Sequence, residues 1–272
     1  MTDEKKIENA HEMEPEPLLV ESQDGIMTIT INRPKRMNAL DRRTLKLGAE
    51  LIDRIHYRKD VRVVIITGAG DKSFCAGADL KERASMNVME VRQYILMIKN
   101  TLSSLENLNK PVIAAINGVA LGGGLEFALS SDIRIASPNA RLGLTETSLG
   151  IIPGAGGTQR LPRLIGRGRA KEMIFTAEIL DAETALEIGL INHIAPEGML
   201  LNMALEIAQK IQKNGPLAIE QAKIAVNRGM ETNIEAGLRI ESDAYDKLIP
   251  TWDRIEALAA FHEKRKPEFR GE

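Results

Sequence analysis

The sequence predicts an α/β fold in which buried strands are covered by helices, followed by a region built from helices alone. Two apolar runs, at residues 61–67 and 112–116, are nearly continuous, as is typical of strands that are buried on both faces. Helical segments alternate with these strands along the chain, which indicates an α/β core. Beyond Pro196 only helical patterns remain. We therefore predict that the character of the fold changes at that point.

The first half of the chain carries most of the predicted strands. Residues 18–22 and 26–32 flank a turn and predict a hairpin, with Met27, Ile29 and Ile31 on one face. Asp41 is a predicted N-cap for a helix that reaches about Tyr57. The remaining elements alternate along the chain: a strand over 61–67, a helix over 88–108, a strand over 112–116, a helix over 122–130 and a strand over 133–136.

The second half is predicted to be mainly helical. Its four expected helices cover residues 199–212, 216–229, 231–247 and 254–264. The predicted organisation is thus a disordered acidic arm over 1–17, an α/β core over 18–196 that holds the site, and a helical region over 197–272.

Composition excludes several classes of protein. A formal charge of −2 over 272 residues gives no general reason to expect nucleic acid or an anionic membrane as a partner. The single cysteine, Cys75, excludes an intrachain disulfide framework, and the four histidines lack metal-binding spacing. The first 17 residues are too acidic for a typical signal or transit peptide. We therefore expect a cytoplasmic protein without a bound metal.

Two glutamates beside glycine-rich turns indicate the chemistry. Glu126 follows the glycines at 122–124, and Glu146 precedes the turn at 154–157. A pair of carboxyl groups can move protons on and off carbon and water. Glycine lets a substrate oxygen approach the backbone, and N–H groups at the start of a helix favour negative charge. This combination is typical of an oxyanion hole with an acid/base pair.

A second loop supplies further backbone donors. Ala76, Gly77 and Ala78 follow the strand predicted over 61–67, and their small side chains leave the N–H groups approachable. Two such loops can hold one carbonyl oxygen between them. A dinucleotide site is not favoured, because Phe127 stands where the G-x-G-x-x-G pattern requires glycine. The P-loop and G-x-S-x-G patterns are also missing from the sequence.

Three motifs resemble the crotonase, or enoyl-CoA hydratase/isomerase, family. They are Ala-Gly-Ala-Asp-Leu at 76–80, Ala-Leu-Gly-Gly-Gly-Leu-Glu at 120–126 and Pro-Gly-Ala-Gly-Gly-Thr-Gln-Arg-Leu at 153–161. The resemblance covers about residues 18–272. Within the family, residues 75–84, 125–126 and 260–265 look most similar to the methylglutaconyl-CoA hydratase branch.

The resemblance implies a fold and an activity. The fold is the crotonase spiral of ββα repeats with a C-terminal helical oligomerisation region, assembled as a trimer or a dimer of trimers. The activity is syn addition of water to a 2-enoyl-CoA, giving a 3-hydroxyacyl-CoA, in fatty-acid or branched-chain (leucine) degradation. No cofactor is implied, because coenzyme A is part of the substrate.

The resemblance also implies roles for individual residues. The N–H groups of Ala78 and Gly123 form the oxyanion hole, Glu126 deprotonates the attacking water, and Glu146 delivers the proton to C2. Phe261 and Lys264 are expected to reach coenzyme A held by an adjacent subunit. The full set expected to bind substrate or coenzyme A is Ala76, Ala78, Asp79, Leu80, Lys81, Gly122, Gly123, Gly154, Phe261 and Lys264.

Three alternatives stay open at this point. The enzyme could be specific for methylglutaconyl-CoA, or it could be an isomerase, which generally needs one carboxylate of the pair. An RNA-binding homologue is the third, because Arg42, Arg43 and Lys46 form a short basic face on the first helix. Glu50 and Asp53 interrupt that face, so a solvated helix surface is the favoured interpretation.

Overall fold

Two β-sheets form the core of the protein, for which a computed structural model describes residues 15–272. The six-stranded sheet contains, in spatial order, β1 (Leu18–Gln23), β2 (Ile26–Ile31), β3 (Val63–Gly68), β5 (Val112–Ile116), β7 (Ile133–Ala136) and β10 (His193–Ile194). The four-stranded sheet contains β4 (Ser73–Cys75), β6 (Val119–Leu121), β8 (Arg141–Gly143) and β9 (Ile179–Asp181). The arm predicted over 1–17 lies outside the described residues up to position 14.

Consecutive strands alternate between the two sheets. The chain runs from β3 to β4, from β5 to β6 and from β7 to β8, each time leaving the larger sheet for the smaller one. Neighbouring strands of successive repeats are parallel in both sheets. The result is a spiral of ββα repeats, as the resemblance implied. Because each turn stacks on the previous one, loops that leave equivalent strands meet at one edge.

The helices connect and cover these strands. In chain order they are α1 (Arg42–Tyr57), α2 (Leu80–Ala84), α3 (Val88–Glu106), α4 (Gly123–Leu129), α5 (Gly157–Ile165), α6 (Arg167–Thr176), α7 (Ala182–Glu187), α8 (Leu200–Gln212), α9 (Pro216–Gly229), α10 (Ile234–Asp246) and α11 (Trp252–His262). Within residues 15–272, none of them combines the length and the apolar character needed to cross a membrane.

Most predicted elements are confirmed. The hairpin pairs Leu18 with Ile31 in an antiparallel register, and Asp41 caps α1 by accepting a hydrogen bond of 2.7 Å from the N–H of Thr44. Two predicted helix starts were wrong by two or three residues. Asn233 caps α10, so that helix begins later than position 231, and Thr251 caps α11, so that helix begins earlier than position 254.

The sequence did not reveal the smaller sheet. Its strands β4, β6, β8 and β9 contain three residues each, which is too short for an alternating pattern to be read. Helices α5, α6 and α7 also went unpredicted as elements. The structure places Gly156 at the N-cap of α5.

Helix α8 belongs to the packing of the larger sheet. Leu200, Ala204 and Ala208 recur every four residues and pack on the sheet face that Val63 and Ile113 present. The boundary proposed at 196/197 stays a prediction, and this first helix after it covers the α/β core.

Helices α9, α10 and α11 expose an unusual amount of apolar surface for a single chain. Their large exposed side chains are Val226, Met230, Ile234, Leu238, Tyr245, Ile255, Leu258 and Phe261, and between 54% and 82% of each is accessible. Helix α9 is tied to the core through Lys223, whose Nζ lies 2.7 Å from the carboxylate of Asp132.

Candidate active site

A cavity of about 760 Å³ opens where the loops after β4 and β6 meet. One wall is a face of α3 and the opposite wall is the segment 145–155. Eight of the predicted site residues line it: Ala76, Ala78, Leu80, Gly122, Gly123, Glu126, Glu146 and Gly154. The spiral therefore brings together three motifs that are far apart in the sequence.

Two backbone N–H groups lie side by side in this cavity. A Cβ atom on Gly77 would approach the nitrogen of Gly123 to 3.1 Å, so the two loops are in contact. Gly77 also has a φ of +92°, which favours glycine. Gly123 begins α4, so its N–H has no acceptor within the helix. The N–H of Ala78 donates to no other group among residues 15–272. Both are available to one ligand oxygen.

Close packing of α4 on β4 fixes the position of Glu126. A Cβ on Gly124 would lie 1.8 Å from the carbonyl oxygen of Cys75, so only glycine allows this approach. Glu126 lies in the first turn of α4 and is 2% exposed. The glycine sequence thus places a buried carboxylate next to the two backbone donors.

Backbone donors hold the Glu126 carboxylate. Its Oε1 accepts hydrogen bonds from the N–H of Ala155 at 2.8 Å and of Gly157 at 2.7 Å. Burial raises the pKa of Glu126, while these two donors and the charge of Arg160 oppose the rise. These donors therefore position the carboxylate and offset part of the cost of burying its charge, which suits a general base.

Glu146 is in a different environment. It begins a short 3₁₀ helix, is largely buried, and its Oε2 has no hydrogen-bond partner within the described part of the chain, residues 15–272. Burial raises its pKa to about 7, and the nearby charge of Glu126 contributes. Two carboxyl groups in one cavity thus differ in proton affinity. Such a difference allows one group to act as a base and the other as an acid at neutral pH.

Arg160 clamps the loop that holds Glu126. Its Nη1 donates to the carbonyl oxygen of Ala155 at 2.8 Å, and its other nitrogens form a bidentate pair with Glu106 on α3 at 3.0 and 2.7 Å. The guanidinium therefore joins α3 and α5 to the turn that donates to Glu126. We treat Arg160 as a positioning residue, because it acts on Glu126 through the loop and through its charge.

Four predicted ligand residues lie outside the cavity in the single chain. The carboxylate of Asp79 caps α2 through the N–H groups of Lys81 and Glu82 and pairs with Arg33 at 3.0 Å, so this side chain has structural partners. Lys81 is exposed on α2. Phe261 is 82% exposed at the end of α11, and Lys264 follows it on the surface. Their assignment to coenzyme A stays a prediction.

Cys75 does not have the properties of a nucleophile. Its thiol is fully buried, and burial raises its pKa to about 12. Across residues 15–272, no three His, Cys, Asp or Glu side chains group in a way that could hold a metal ion.

The sequence did not identify several residues of the site. Tyr94 donates from α3 to the carbonyl oxygen of Leu40 at 2.6 Å and thereby supports the Ala78 loop. Arg160 lay within a recognised motif but had no assigned role, and Glu106 stands on a different element with no motif around it. Arg83 also lines the cavity. Of these residues, only Arg83 could have been identified from the sequence, as a cation next to the Ala78 loop.

Comparison with known proteins identifies the family of this chain. Residues 21–272 match the family model described as enoyl-CoA hydratase/isomerase. A short-chain-enoyl-CoA hydratase of Clostridium acetobutylicum is 49% identical over 94% of this chain and 98% of its own. The mitochondrial methylglutaconyl-CoA hydratase of Mus musculus is 46% identical over 93% of this chain and 82% of its own.

A solved structure gives the same result for the fold. The crystal structure of enoyl-CoA hydratase from Bacillus anthracis superposes with a TM-score of 0.93 at 49% identity, covering 94% of this chain and all of that chain. The protein belongs to the enoyl-CoA hydratase/isomerase family. Its relatives, including the two described above, are named hydratases, which supports hydratase activity within this family.

The Arg160 clamp leads to a first prediction. In Arg160→Gln, the Glu126 carboxylate loses a nearby positive charge and the loop that holds it loses a tether. We expect kcat/KM to fall about ten- to hundredfold at neutral pH, since small misplacements of catalytic groups have effects of this size. We also expect the acid limb of the pH profile to move to higher pH, because the pKa of Glu126 rises further.

Two further variants complete this measurement. Arg160→Lys keeps the charge but loses the bidentate geometry, so it should lower the rate with a smaller shift of the acid limb. Arg163→Gln, an exposed arginine on the same helix, is the matched control. An acid limb that stays in place in Arg160→Gln would contradict the electrostatic link.

Proposed function

We propose that the protein adds water across the C2=C3 bond of a 2-enoyl-CoA thioester, with syn geometry, to give the 3-hydroxyacyl-CoA. One observation carries this proposal: two buried carboxyl groups face one cavity, and Glu126 is held by the N–H groups of Ala155 and Gly157, whereas Oε2 of Glu146 has no hydrogen-bond partner among residues 15–272. Glu126 is thereby suited to remain ionised, and Glu146, with a pKa of about 7, is suited to carry a proton.

The thioester oxygen would bind between the N–H groups of Ala78 and Gly123. Negative charge develops on this oxygen as the double bond is attacked, so donors at this position lower the barrier. Loss of one such donor typically costs ~2.7 to 4 kcal/mol of transition-state stabilisation. The donors are backbone groups at fixed positions, so they need no rearrangement during the reaction.

Proton transfer by the two glutamates completes the reaction. Glu126 takes a proton from water as the water oxygen bonds to C3, and Glu146 gives its proton to C2. After this step Glu126 carries the proton taken from water and Glu146 has lost its own proton to C2, and proton exchange with solvent restores both groups. The reaction moves no electrons to or from an external carrier, so the proposal includes coenzyme A only as part of the substrate.

The competing functions use fewer features of the site. An isomerase would generally need one carboxylate to move the proton, whereas two glutamates line this cavity. For RNA binding, nearby carboxylates partly neutralise the positive charge on the basic face of α1. Arg42 lies 3.6 to 3.9 Å from the carboxylates of Glu82 and Glu90, and Arg43 lies 3.4 Å from that of Glu16. Such a role would show as binding that salt weakens steeply.

The proposal includes assembly into a trimer or a dimer of trimers in the cytoplasm. Support for assembly comes from the exposed apolar side chains of α9, α10 and α11, which a neighbouring subunit would cover. In such an assembly Phe261 and Lys264 would meet coenzyme A bound to an adjacent subunit. The single cysteine, Cys75, fits a reducing compartment.

A second prediction tests the two carboxyl roles. Glu126→Gln and Glu146→Gln keep the side-chain size but abolish carboxylate proton transfer, so each should lower the hydration rate of crotonyl-CoA at least ~100-fold. Binding of coenzyme A, measured by calorimetry, should survive. The double variant should lose much less than the product of the single losses, because the two groups act together. Near-normal turnover in either single variant would remove its assigned role.

A third prediction concerns pH. Glu146 must be protonated to act as the acid, so kcat/KM should fall as pH rises above its pKa of about 7. Glu126 must be ionised, so kcat/KM should also fall as pH decreases through its raised pKa. The expected profile for crotonyl-CoA hydration is bell-shaped. A rate that stays flat from neutral pH to pH 9 would contradict the assignment of Glu146 as the acid.

A fourth prediction addresses Lys264. We expect Lys264→Ala to raise the KM for crotonyl-CoA about tenfold with little change in kcat, since a lysine contributes to phosphate binding as a point charge. Lys266→Ala, two residues along the same exposed segment, is the control. Sedimentation of the unchanged protein as a fully active monomer would contradict the role of assembly in the site.

A further inference from the structure

The carbonyl oxygen of Gly77 determines the direction in which the N–H of Ala78 points. This oxygen accepts a hydrogen bond of 2.8 Å from the N–H of Leu40. No peptide bond within residues 15–272 is cis, and in a planar trans peptide the C=O and the N–H point in opposite directions. The contact with Leu40 therefore turns the N–H of Ala78 away from Leu40, towards the cavity that Ala78 lines.

Leu40 is itself held at its carbonyl oxygen. That oxygen accepts hydrogen bonds from the N–H of Asp79 at 2.9 Å and from the hydroxyl of Tyr94 at 2.6 Å. Leu40 and Ala78 thus form a parallel bridge, with one hydrogen bond on each side of Ala78. Tyr94 is almost completely buried on α3, so its hydroxyl fixes this bridge to the helix that forms one wall of the cavity.

Arg33 holds the residues on either side of Leu40. Its Nη1 donates to the carbonyl oxygen of Ala39, and its Nη2 lies 2.9 Å from Oδ2 of Asp41 and 3.0 Å from Oδ2 of Asp79. One guanidinium thereby joins both chain neighbours of Leu40 to the loop that carries the backbone donor. The side chain of Arg33 is only 17% exposed, so water competes little for these contacts.

Asn38 anchors the same segment to the smaller sheet. Its side chain is fully buried, and Nδ2 donates to the carbonyl oxygen of Ser73 in β4 at 2.6 Å. Its Oδ1 accepts a hydrogen bond of 3.0 Å from the N–H of Arg33. The backbone φ is +54°, in a region that asparagine adopts more readily than most residues. These contacts hold residues 33–41 in one conformation beside the Ala78 loop.

We propose that Arg33 and Tyr94 are positioning residues that orient the N–H of Ala78 towards the thioester oxygen, acting through the backbone of Leu40. This inference rests on the proposed hydratase function and adds to it the side chains that set the direction of one oxyanion donor. The N–H of Gly123 is placed separately, by the start of α4. Loss of the Leu40 contacts therefore weakens one donor of the two, and it does so most for an oxygen that carries negative charge.

The test compares two ligands that differ in the charge on this oxygen. Butyryl-CoA has a neutral thioester carbonyl, whereas acetoacetyl-CoA can bind as its enolate, which is detected by its absorbance. The first readout is the ratio of the Kd for butyryl-CoA to the Kd for acetoacetyl-CoA. The second readout is the pair of kcat and KM values for hydration of crotonyl-CoA.

Tyr94→Phe removes only the hydroxyl group. We expect it to lower the ratio and kcat about tenfold with little change in KM, since a small misplacement of a group that acts in the transition state has an effect of this size. Arg33→Gln should lower both quantities at least about thirtyfold. Arg33→Lys should have a smaller effect, because it keeps the charge but loses the planar fork.

Two matched controls lie outside these contacts. Tyr57→Phe changes an exposed tyrosine on α1, and Arg36→Gln changes an exposed arginine three positions from Arg33. Both should leave the ratio and kcat unchanged. Thermal unfolding of every variant is followed by circular dichroism. If Arg33→Gln does not fold, Tyr94→Phe decides the result, because the Leu40 oxygen keeps its hydrogen bond from the backbone of the Ala78 loop.

Two outcomes would overturn the inference. An unchanged ratio in folded Tyr94→Phe and Arg33→Lys would show that the Leu40 contacts do not set the direction of the donor. An equal weakening of both ligands would show that these contacts only maintain the shape of the cavity. The ratio needs binding alone, so it is independent of turnover. An unchanged protein that binds both ligands but does not hydrate crotonyl-CoA would refute the proposed function, and the ratio would still decide the role of Arg33 and Tyr94.

Discussion

The hydrogen bonds from the 155–157 turn to Glu126 are the constraint on which the rest of the site depends. A carboxylate that is almost fully buried is strongly destabilised unless donors surround it. Here one oxygen receives two backbone N–H groups at 2.7 and 2.8 Å. The turn must therefore stay in one conformation, and Arg160 and Glu106 provide the connection to α3 that holds it. The position of the Glu126 carboxylate therefore depends on the contacts that hold α3 and α5 together.

The spiral explains how short motifs from separate repeats form one site. Each repeat sends a strand to each sheet, so the loops after β4 and β6 lie next to each other although more than forty residues separate them. Glycine at position 124 lets α4 approach β4, which brings Gly123 to Ala78. The small residues in these loops allow the backbones to approach each other closely, in addition to giving the loops conformational freedom. The arrangement of these two backbone N–H donors is therefore a property of the repeat stacking.

The sequence predicted those elements whose pattern is long enough to be read. The runs that form β2, β3 and β5 and the stripe on α1 were sufficient for an α/β core, and the glycine motifs with their glutamates were sufficient for the candidate site. The three-residue strands β4, β6 and β8 carry no period of their own, because tertiary contacts define them. Arg160 and Glu106 form their pair across 54 positions, and neither position shows a local pattern that would predict it.

The unpaired carboxyl oxygen of Glu146 has a consequence for the stability of the whole chain. Glu146 binds its proton more tightly when folded, because burial raises its pKa to about 7 from an ordinary value of 4.5. Between these two pH values the unfolded chain has released a proton that the folded chain retains. Proton linkage then requires the free energy of unfolding to decrease as pH rises through this window. The carboxyl group that we propose as the acid therefore also lowers the stability of the native state as pH rises towards neutrality.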